Sequence, residues 1–145
     1  MGTVIGLARR KKLRGEIELV ESVYIDRKTG LSGDIRGTAL NRQVTLLSKR
    51  SWGDVCRELK EEIPWTYRRA NILIDNFDFI KKSGYRIQVG EVILKVTRET
   101  DPCPRMDEQF QGLTNALLSN WRGGVCCNVI KGGDVNLGSE VKILG

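Results

Sequence analysis

The sequence contains no histidine and only three prolines among its 145 residues. Without histidine, Ser-His-Asp and Cys-His catalysis, histidine metal sites and histidine pH switches are all excluded. No segment approaches the ~20 consecutive apolar residues that a membrane-spanning helix requires, and residues 1–13 show no signal-peptide cleavage pattern. We therefore expect a cytoplasmic protein without a membrane partner.

The four cysteines, Cys56, Cys103, Cys126 and Cys127, form no C-x-x-C pair. Cytoplasmic thiols stay reduced, and adjacent cysteines in a strand point to opposite faces. These features argue against a zinc site and against a disulfide scaffold. Neither is needed, because a chain of this length buries about two-thirds of its unfolded surface. We expect a single domain over residues 1–145.

Cys103 stands between Pro102 and Pro104, directly after an alternating strand-like segment. Proline fixes φ, lacks an N–H group and restricts the residue before it. We therefore expect a stiff turn that presents the thiol at the end of a strand, which makes Cys103 the strongest chemical candidate in the chain. The alternative is that Cys103 is a small buried apolar residue within an ordinary turn.

The net charge of +6 comes mainly from one cluster, Arg9, Arg10, Lys11, Lys12 and Arg14, and the rest of the chain is close to neutral. Such a cluster can bind nucleic acid. It lies between two strand-like segments, however, and no nucleic-acid motif or run of aromatic residues accompanies it. We expect a mobile, solvated hairpin tip that takes no part in a functional site, and no nucleic-acid partner.

Short apolar or alternating segments dominate the chain and predict strands. They cover residues 3–8, 16–26, 43–47, 71–75, 86–89, 91–97, 125–130 and 140–144. A break in the alternation near Glu21 suggests a bulge, and the last two segments read as a terminal hairpin.

Two segments predict helices. Ser51 can cap a helix that runs to about Glu61, and Phe110, Leu117 and Trp121 follow helical spacing up to Gly123-Gly124. With no βαβ alternation expected, the fold class is mainly β with two short helices, arranged as a closed or partly open β-barrel.

Six segments, taken in order, resemble the MOSC domain, which is the C-terminal domain of molybdenum cofactor sulfurases and also occurs alone in small bacterial proteins. They are Gly30-Leu31-Ser32-Gly33-Asp34, Arg42-Gln43-Val44-Thr45-Leu46-Leu47-Ser48, Arg69-Ala70-Asn71-Ile72, Gly90-Glu91-Val92, Cys103 and Trp121-Arg122-Gly123-Gly124. The resemblance covers nearly the whole chain and implies a β-rich, barrel-like fold.

The resemblance also implies a site for the molybdenum cofactor, molybdopterin. Cys103 takes the position of the cysteine that ligates molybdenum in some members and is thought to carry sulfur as a persulfide in others. Arg69 and Asn71 match an Arg-x-Asn element that helps to hold the pterin phosphate, and Arg42 and Ser48 fall in a segment that lines the same cleft.

Cys103 must lose its proton to bind metal or accept sulfur, yet its sequence neighbours are more acidic than basic. Positive charge must then come from elsewhere in the fold, and Arg69, Arg68 and Arg42 are the candidates. The alternative for Arg68 and Arg69 is a solvated pair at the start of a strand.

Three functions remain open. The leading hypothesis is a module that binds the molybdenum cofactor or carries sulfur for it, with a cysteine desulfurase or a molybdenum enzyme as partner. The second is a molybdenum-dependent reductase of N-hydroxylated compounds. The third is a non-catalytic anion- or partner-binding barrel in which Cys103 is only structural.

Overall fold

The computed structural model describes residues 1–12, 15–100, 106–118 and 120–145. The strands in this part of the chain are β1 (Gly2–Arg9), β2 (Glu18–Leu19), β3 (Ser22–Asp26), β4 (Gly30–Leu31), β5 (Val44–Ser48), β6 (Ile72–Asp75), β7 (Arg86–Val89), β8 (Val92–Glu99), β9 (Val125–Lys131), β10 (Gly133–Asn136) and β11 (Glu140–Ile143). The helices are α1 (Lys49–Leu59), α2 (Met106–Gln109) and α3 (Leu113–Leu117), with a 3₁₀ helix over Trp65–Arg68. None of these helices is long and apolar enough to cross a membrane.

Seven strands close into a barrel in the order β11, β7, β8, β9, β5, β6, β1. The pairing of Gly2 with Val141 joins β1 to β11 and completes the closure. Strand β8 shows how the sequence fills the barrel, because alternate residues Val92, Leu94 and Val96 are fully buried and therefore face one side of the sheet. The predicted mainly β, closed-barrel fold is confirmed.

Strands β5 and β6 pair in parallel, with α1 in the connection between them. All five residues of β5 are buried. Leu46 packs into the main core, whereas Leu47 packs on the other face against α1 and α3. A parallel pair requires such a crossover, so the prediction that the chain lacks a βαβ unit is wrong at this point.

A second sheet, in the order β10, β3, β4, contributes Val23, Ile25 and Leu31 to the main hydrophobic core. The break near Glu21 is therefore a change of sheet between β2 and β3 rather than a bulge. The predicted terminal hairpin is also wrong: β9 pairs with β5 and β8, whereas β11 pairs with β7 and β1.

The helices differ from prediction at their ends. Helix α1 begins after Ser48 rather than Ser51, and the Ser48 side chain makes no capping hydrogen bond. The second predicted helix is divided into α2 and α3 at Gly112, whose φ of 89° lies in the left-handed region and interrupts helical geometry. Gly124 also has a positive φ of 88°, and it lies at the start of β9 rather than at a helix end.

Candidate functional site

Three arginines meet at one end of the barrel because of the strand directions. Strands β5 and β6 are parallel, and β1 runs antiparallel to β6. The residues just before β5 and β6 therefore lie beside the residues just after β1. These residues include Arg42, Arg69 and Arg10, and the loop after β4 adds Arg36 to the same narrow pocket.

These four arginines, which we call the arginine cluster, line the pocket together with Asp34, Thr45 and Asn71. Asp34 is the sole acid among the described residues of this lining, so positive charge is in clear excess. Burial lowers the pKa of Arg10, the positive charges of Arg69 and Arg36 lower it further, and the negative charge of Asp34 raises it. Because guanidinium groups remain charged at neutral pH, the pocket is suited to an anion.

Arg69 occupies a conformation that is unusual for an arginine. It follows the 3₁₀ helix with a φ of 64°, and its N–H group donates to Thr66 O. A left-handed backbone costs a non-glycine residue about 1 kcal/mol. The Arg69 guanidinium donates to Gly15 O, its Nε is buried without an acceptor among the described residues, and burial lowers its pKa.

Asp34 fixes the backbone of Arg10 and Arg36. Its Oδ1 accepts the N–H group of Arg10 at 3.0 Å, and its Oδ2 accepts the N–H group of Arg36 at 3.1 Å. In return, the N–H group of Ile35 donates to Arg10 O at 2.7 Å. The loop after β4 is thereby attached to the end of β1.

The basic cluster at residues 9–14 is only partly solvated, in contrast to the prediction. Lys11 and Lys12 are exposed, and Arg14 lies outside the described residues. Arg9, however, donates through Nε to Glu18 at 2.6 Å and through Nη1 to Ser32 O at 3.0 Å. The prediction of a solvated cluster is therefore wrong for Arg9, and the prediction that the cluster is separate from the site is wrong for Arg10, which lines the pocket.

Asn71 is buried and joins three strands. Its Oδ1 accepts the backbone N–H group of Thr45 at 2.9 Å and the Thr45 hydroxyl at 3.1 Å, and its Nδ2 donates to Ala8 O at 3.1 Å. The Asn71 N–H group in turn donates to Thr45 Oγ1 at 3.1 Å. Asn71 thus holds together the strand ends that carry the arginine cluster.

Two predicted site residues lie elsewhere. Ser48 is buried, and its hydroxyl donates to Phe77 O at 2.8 Å, away from the arginine cluster. Arg68 is also buried, with 4% of its surface exposed, and its Nε donates to Gly123 O at 3.1 Å. The alternative of a solvated Arg68–Arg69 pair is therefore wrong, and of the five predicted cofactor-binding residues the structure brings together Arg42, Arg69 and Asn71.

Cys103 lies outside the described residues, so its predicted roles as metal ligand and catalytic thiol remain predictions. The chain before it is described up to Thr100, whose N–H group donates to Gly124 O at 3.0 Å. The Thr100 hydroxyl lies 3.5 Å from Cys126 Sγ. Cys126 pairs directly with Thr45 across β9 and β5, and directly paired residues have side chains on the same face.

Thr100 therefore lies on the face that also carries Thr45 and Asn71. Arg68 is close to this point as well, because it binds the carbonyl of Gly123 next to the Gly124 carbonyl that Thr100 binds. Thr100, the last described residue before Cys103, is thus connected to Thr45 of the pocket through Cys126. Both predicted elements of the site, the cysteine segment and the Arg-x-Asn element, start from the same face of the barrel.

Burial shields two of the three described thiols from reagents in solvent. Cys126 and Cys127 are fully buried, and burial, followed by the neighbouring Cys126, raises the pKa of Cys127 well above its usual value. Cys56 is half-buried, with its Sγ 3.8 Å from Ile63 O.

Sequence reasoning missed Arg10, Arg36, Asp34 and Thr45 as pocket residues. Asp34 and Thr45 stand within motifs that carry the resemblance, so their positions were available as a signal. Arg36 follows Asp34 by two residues, but nothing local indicates that it shares a pocket with Arg10.

Residues 32–142 match the family model described as the MOSC domain. The chain belongs to the MOSC domain family. This family is associated with molybdenum cofactor binding. The match begins at Ser32, so it includes Asp34, Arg36, Arg42 and Arg69 and starts after Arg10.

Solved structures show the same fold at low sequence identity. This MOSC domain is similar to the YuaD protein from Bacillus subtilis, with 19% identity, a TM-score of 0.82 and coverage of 99% of this chain and 96% of that one. It is also similar to YiiM from Escherichia coli, with 15% identity, a TM-score of 0.72 and coverage of 99% and 70%. YiiM from Geobacillus stearothermophilus is similar as well, with 11% identity, a TM-score of 0.76 and coverage of 100% of this chain and 76% of that one. No curated protein matches the chain.

Proposed function

We propose that this MOSC domain protein binds the molybdenum cofactor or carries sulfur for it, in the cytoplasm, with Cys103 as metal ligand or persulfide carrier. A cysteine desulfurase or a molybdenum enzyme is the expected partner. The observation that supports this proposal most strongly is the arginine cluster, whose pocket includes Thr45, on the same face of the barrel as Thr100.

The donors of the pocket fit the phosphate of the pterin cofactor. Guanidinium groups bind phosphate oxygens through paired, charge-assisted hydrogen bonds. The Nε atoms of Arg36 and Arg69 are buried without an acceptor among the described residues. Buried donors in folded proteins almost always have a partner, so these two atoms are available to an anionic ligand.

Asn71 supports the pocket in a different way from the arginines. Its amide is engaged by Thr45 and Ala8, so it fixes the strand ends and keeps Arg69 and Arg42 at the same end of the barrel. In this chain the Arg-x-Asn element therefore combines a ligand-binding arginine with an asparagine that holds the scaffold.

Cys103 follows Thr100 by three residues, and three residues span at most about 11 Å. The proposal therefore requires the pocket to lie within that reach of Thr100. The positive charge of the arginine cluster and of Arg68 favours the thiolate, which is the form that binds metal and attacks sulfur.

The two versions of the proposal differ in what the thiolate does. As a ligand, Cys103 would hold the molybdenum through its sulfur, and the cofactor would supply the redox chemistry of the metal. As a carrier, the thiolate attacks the outer sulfur of a persulfide on a cysteine desulfurase. The thiolate of the desulfurase leaves, and Cys103 keeps the transferred sulfur as a persulfide.

Mass spectrometry and metal analysis of the protein purified from its own host test the proposal. Molybdenum with pterin, or one additional sulfur atom on Cys103, is expected in the wild type, absent from Cys103→Ser and retained in Cys56→Ser. Stable molybdenum together with turnover of N-hydroxylated compounds by an added electron donor would identify the reductase instead. If the purified protein carries neither the metal nor a persulfide, the proposal is refuted and an anion-binding barrel remains.

A further inference from the structure

We propose that Asp34 is a positioning residue of the anion site and that it makes Arg10 and Arg36 part of that site. This inference rests on the proposed function, in which the arginine cluster binds the phosphate group of a ligand. The ligand class is a phosphate monoester or free inorganic phosphate, since both present the same dianionic group.

The geometry of Asp34 assigns this role. Arg10 follows the last residue of β1, so its backbone N–H group needs a partner outside the β1 ladder. Asp34 supplies one carboxylate oxygen to Arg10 and the other to Arg36. Both oxygens thus hold the backbone of these arginines, and among the described residues Asp34 makes no hydrogen bond to either guanidinium group.

The loop around Asp34 is itself fixed. The Asp34 N–H group donates to Leu31 O at 3.0 Å, and Gly37 donates to Asp34 O at 3.2 Å. Together with the bond from Ile35 to Arg10 O, these contacts connect the end of β4 to the end of β1. These contacts therefore hold together the backbones of two arginines from segments that are distant in sequence.

Removing the charge of Asp34 should strengthen anion binding, whereas removing its contacts to the two backbones should weaken it. Arg10 experiences repulsion from Arg69, Arg36 and Arg42, and attraction from Asp34. If Asp34 were only a negative charge beside the pocket, Asp34→Asn would strengthen anion binding. If Asp34 positions the arginines, the same change weakens binding, because the amide nitrogen of asparagine cannot accept an N–H group.

Asp26 offers a matched control. Its carboxylate also accepts two backbone N–H groups, from Lys28 at 2.8 Å and from Thr29 at 3.1 Å. Asp26 is half-exposed, at the end of β3, and does not line the pocket. Both contacts use Oδ2, which an asparagine carbonyl oxygen can replace, so Asp26→Asn removes the same charge outside the arginine cluster and controls for charge alone.

The experiment is titration of the full chain with inorganic phosphate by calorimetry at constant ionic strength. We expect Asp34→Asn to weaken phosphate binding about tenfold, the loss expected for one displaced charge-assisted contact, and Asp26→Asn to leave it unchanged. Arg10→Gln alone should weaken phosphate binding. Combined with Asp34→Asn it should weaken binding little further, since contacts that act together are not additive.

The outcomes separate this inference from the proposed function. If the wild type binds phosphate and Asp34→Asn binds it equally well or more tightly, the positioning role is refuted and the anion site remains. Full additivity of Arg10→Gln and Asp34→Asn also refutes it. Wild type that does not bind phosphate refutes the anion site and the inference with it. If Asp34→Asn does not fold, unchanged phosphate affinity in Arg10→Gln or in Arg36→Gln refutes the inference.

Discussion

Replacing Asn71 by alanine is expected to cost the protein about 3 kcal/mol of unfolding free energy. The change removes three side-chain hydrogen bonds, two accepted from Thr45 and one donated to Ala8 O. A hydrogen bond contributes about 1 kcal/mol net, and a buried group left without a partner costs about 1–3 kcal/mol. Asn71 is only 6% exposed, so water reaches these groups poorly. For a chain of this size the melting temperature should fall by roughly 10 °C.

Urea denaturation of Asn71→Ala, Thr45→Val and the double variant measures this effect. Because Thr45 and Asn71 share their hydrogen bonds, the double variant should lose less than the sum of the single losses, by about 1 kcal/mol or more. Asn115→Ala is the control, since Asn115 is exposed on α3. A loss below about 0.5 kcal/mol for Asn71→Ala, the range of ordinary surface changes, would refute the interpretation of Asn71 as the residue that joins the strand ends.

Three further predictions concern the scaffold and its thiols. Gly124→Ala should lower the unfolding free energy measured by urea denaturation by roughly 3 kcal/mol or more. The loss combines backbone strain at a φ of 88° with the clash of a β-carbon placed 1.9 Å from a carbonyl oxygen of β5. A loss below about 1 kcal/mol would contradict the close approach. Burial raises the pKa of Tyr85 to about 12, so its stabilising contribution is full below the unfolded pKa of about 10 and is lost as pH rises towards the folded value; ultraviolet titration should show one late tyrosinate, which Tyr85→Phe removes. Timed alkylation should modify Cys103 first and leave Cys126 and Cys127 unmodified until the protein unfolds.

Local patterns were sufficient for the strands but not for their partners. The alternation of Val92, Leu94 and Val96 predicts β8, because each side chain contributes to one face independently of the rest of the fold. The parallel pairing of β5 with β6 and the closure of β1 on β11 are long-range contacts that no local pattern contains. For the same reason the local pattern after Val125 predicts a hairpin, although the strands there pair with five different partners.

The candidate site divides in the same way. Arg42, Arg69 and Asn71 could be predicted because the family motif carries them within short segments. Arg10 and Arg36 could not, because the pairing of β1 with β6 and the contacts of Asp34 bring them to the pocket. Ser48 was misplaced because residues three apart in a strand point to opposite faces, so Thr45 faces the pocket and Ser48 faces Phe77 O.

The central claim is that Cys103 and the arginine cluster form one site, and the rate of Cys103 alkylation with and without saturating inorganic phosphate tests it most directly. A neutral alkylating reagent avoids attraction to the arginines. Phosphate should slow alkylation several-fold in the wild type, by blocking access and by offsetting the positive charge that favours the thiolate. Arg69→Gln should react slowly and show little response to phosphate. Phosphate that binds the wild type yet leaves the alkylation rate of Cys103 unchanged would contradict the account.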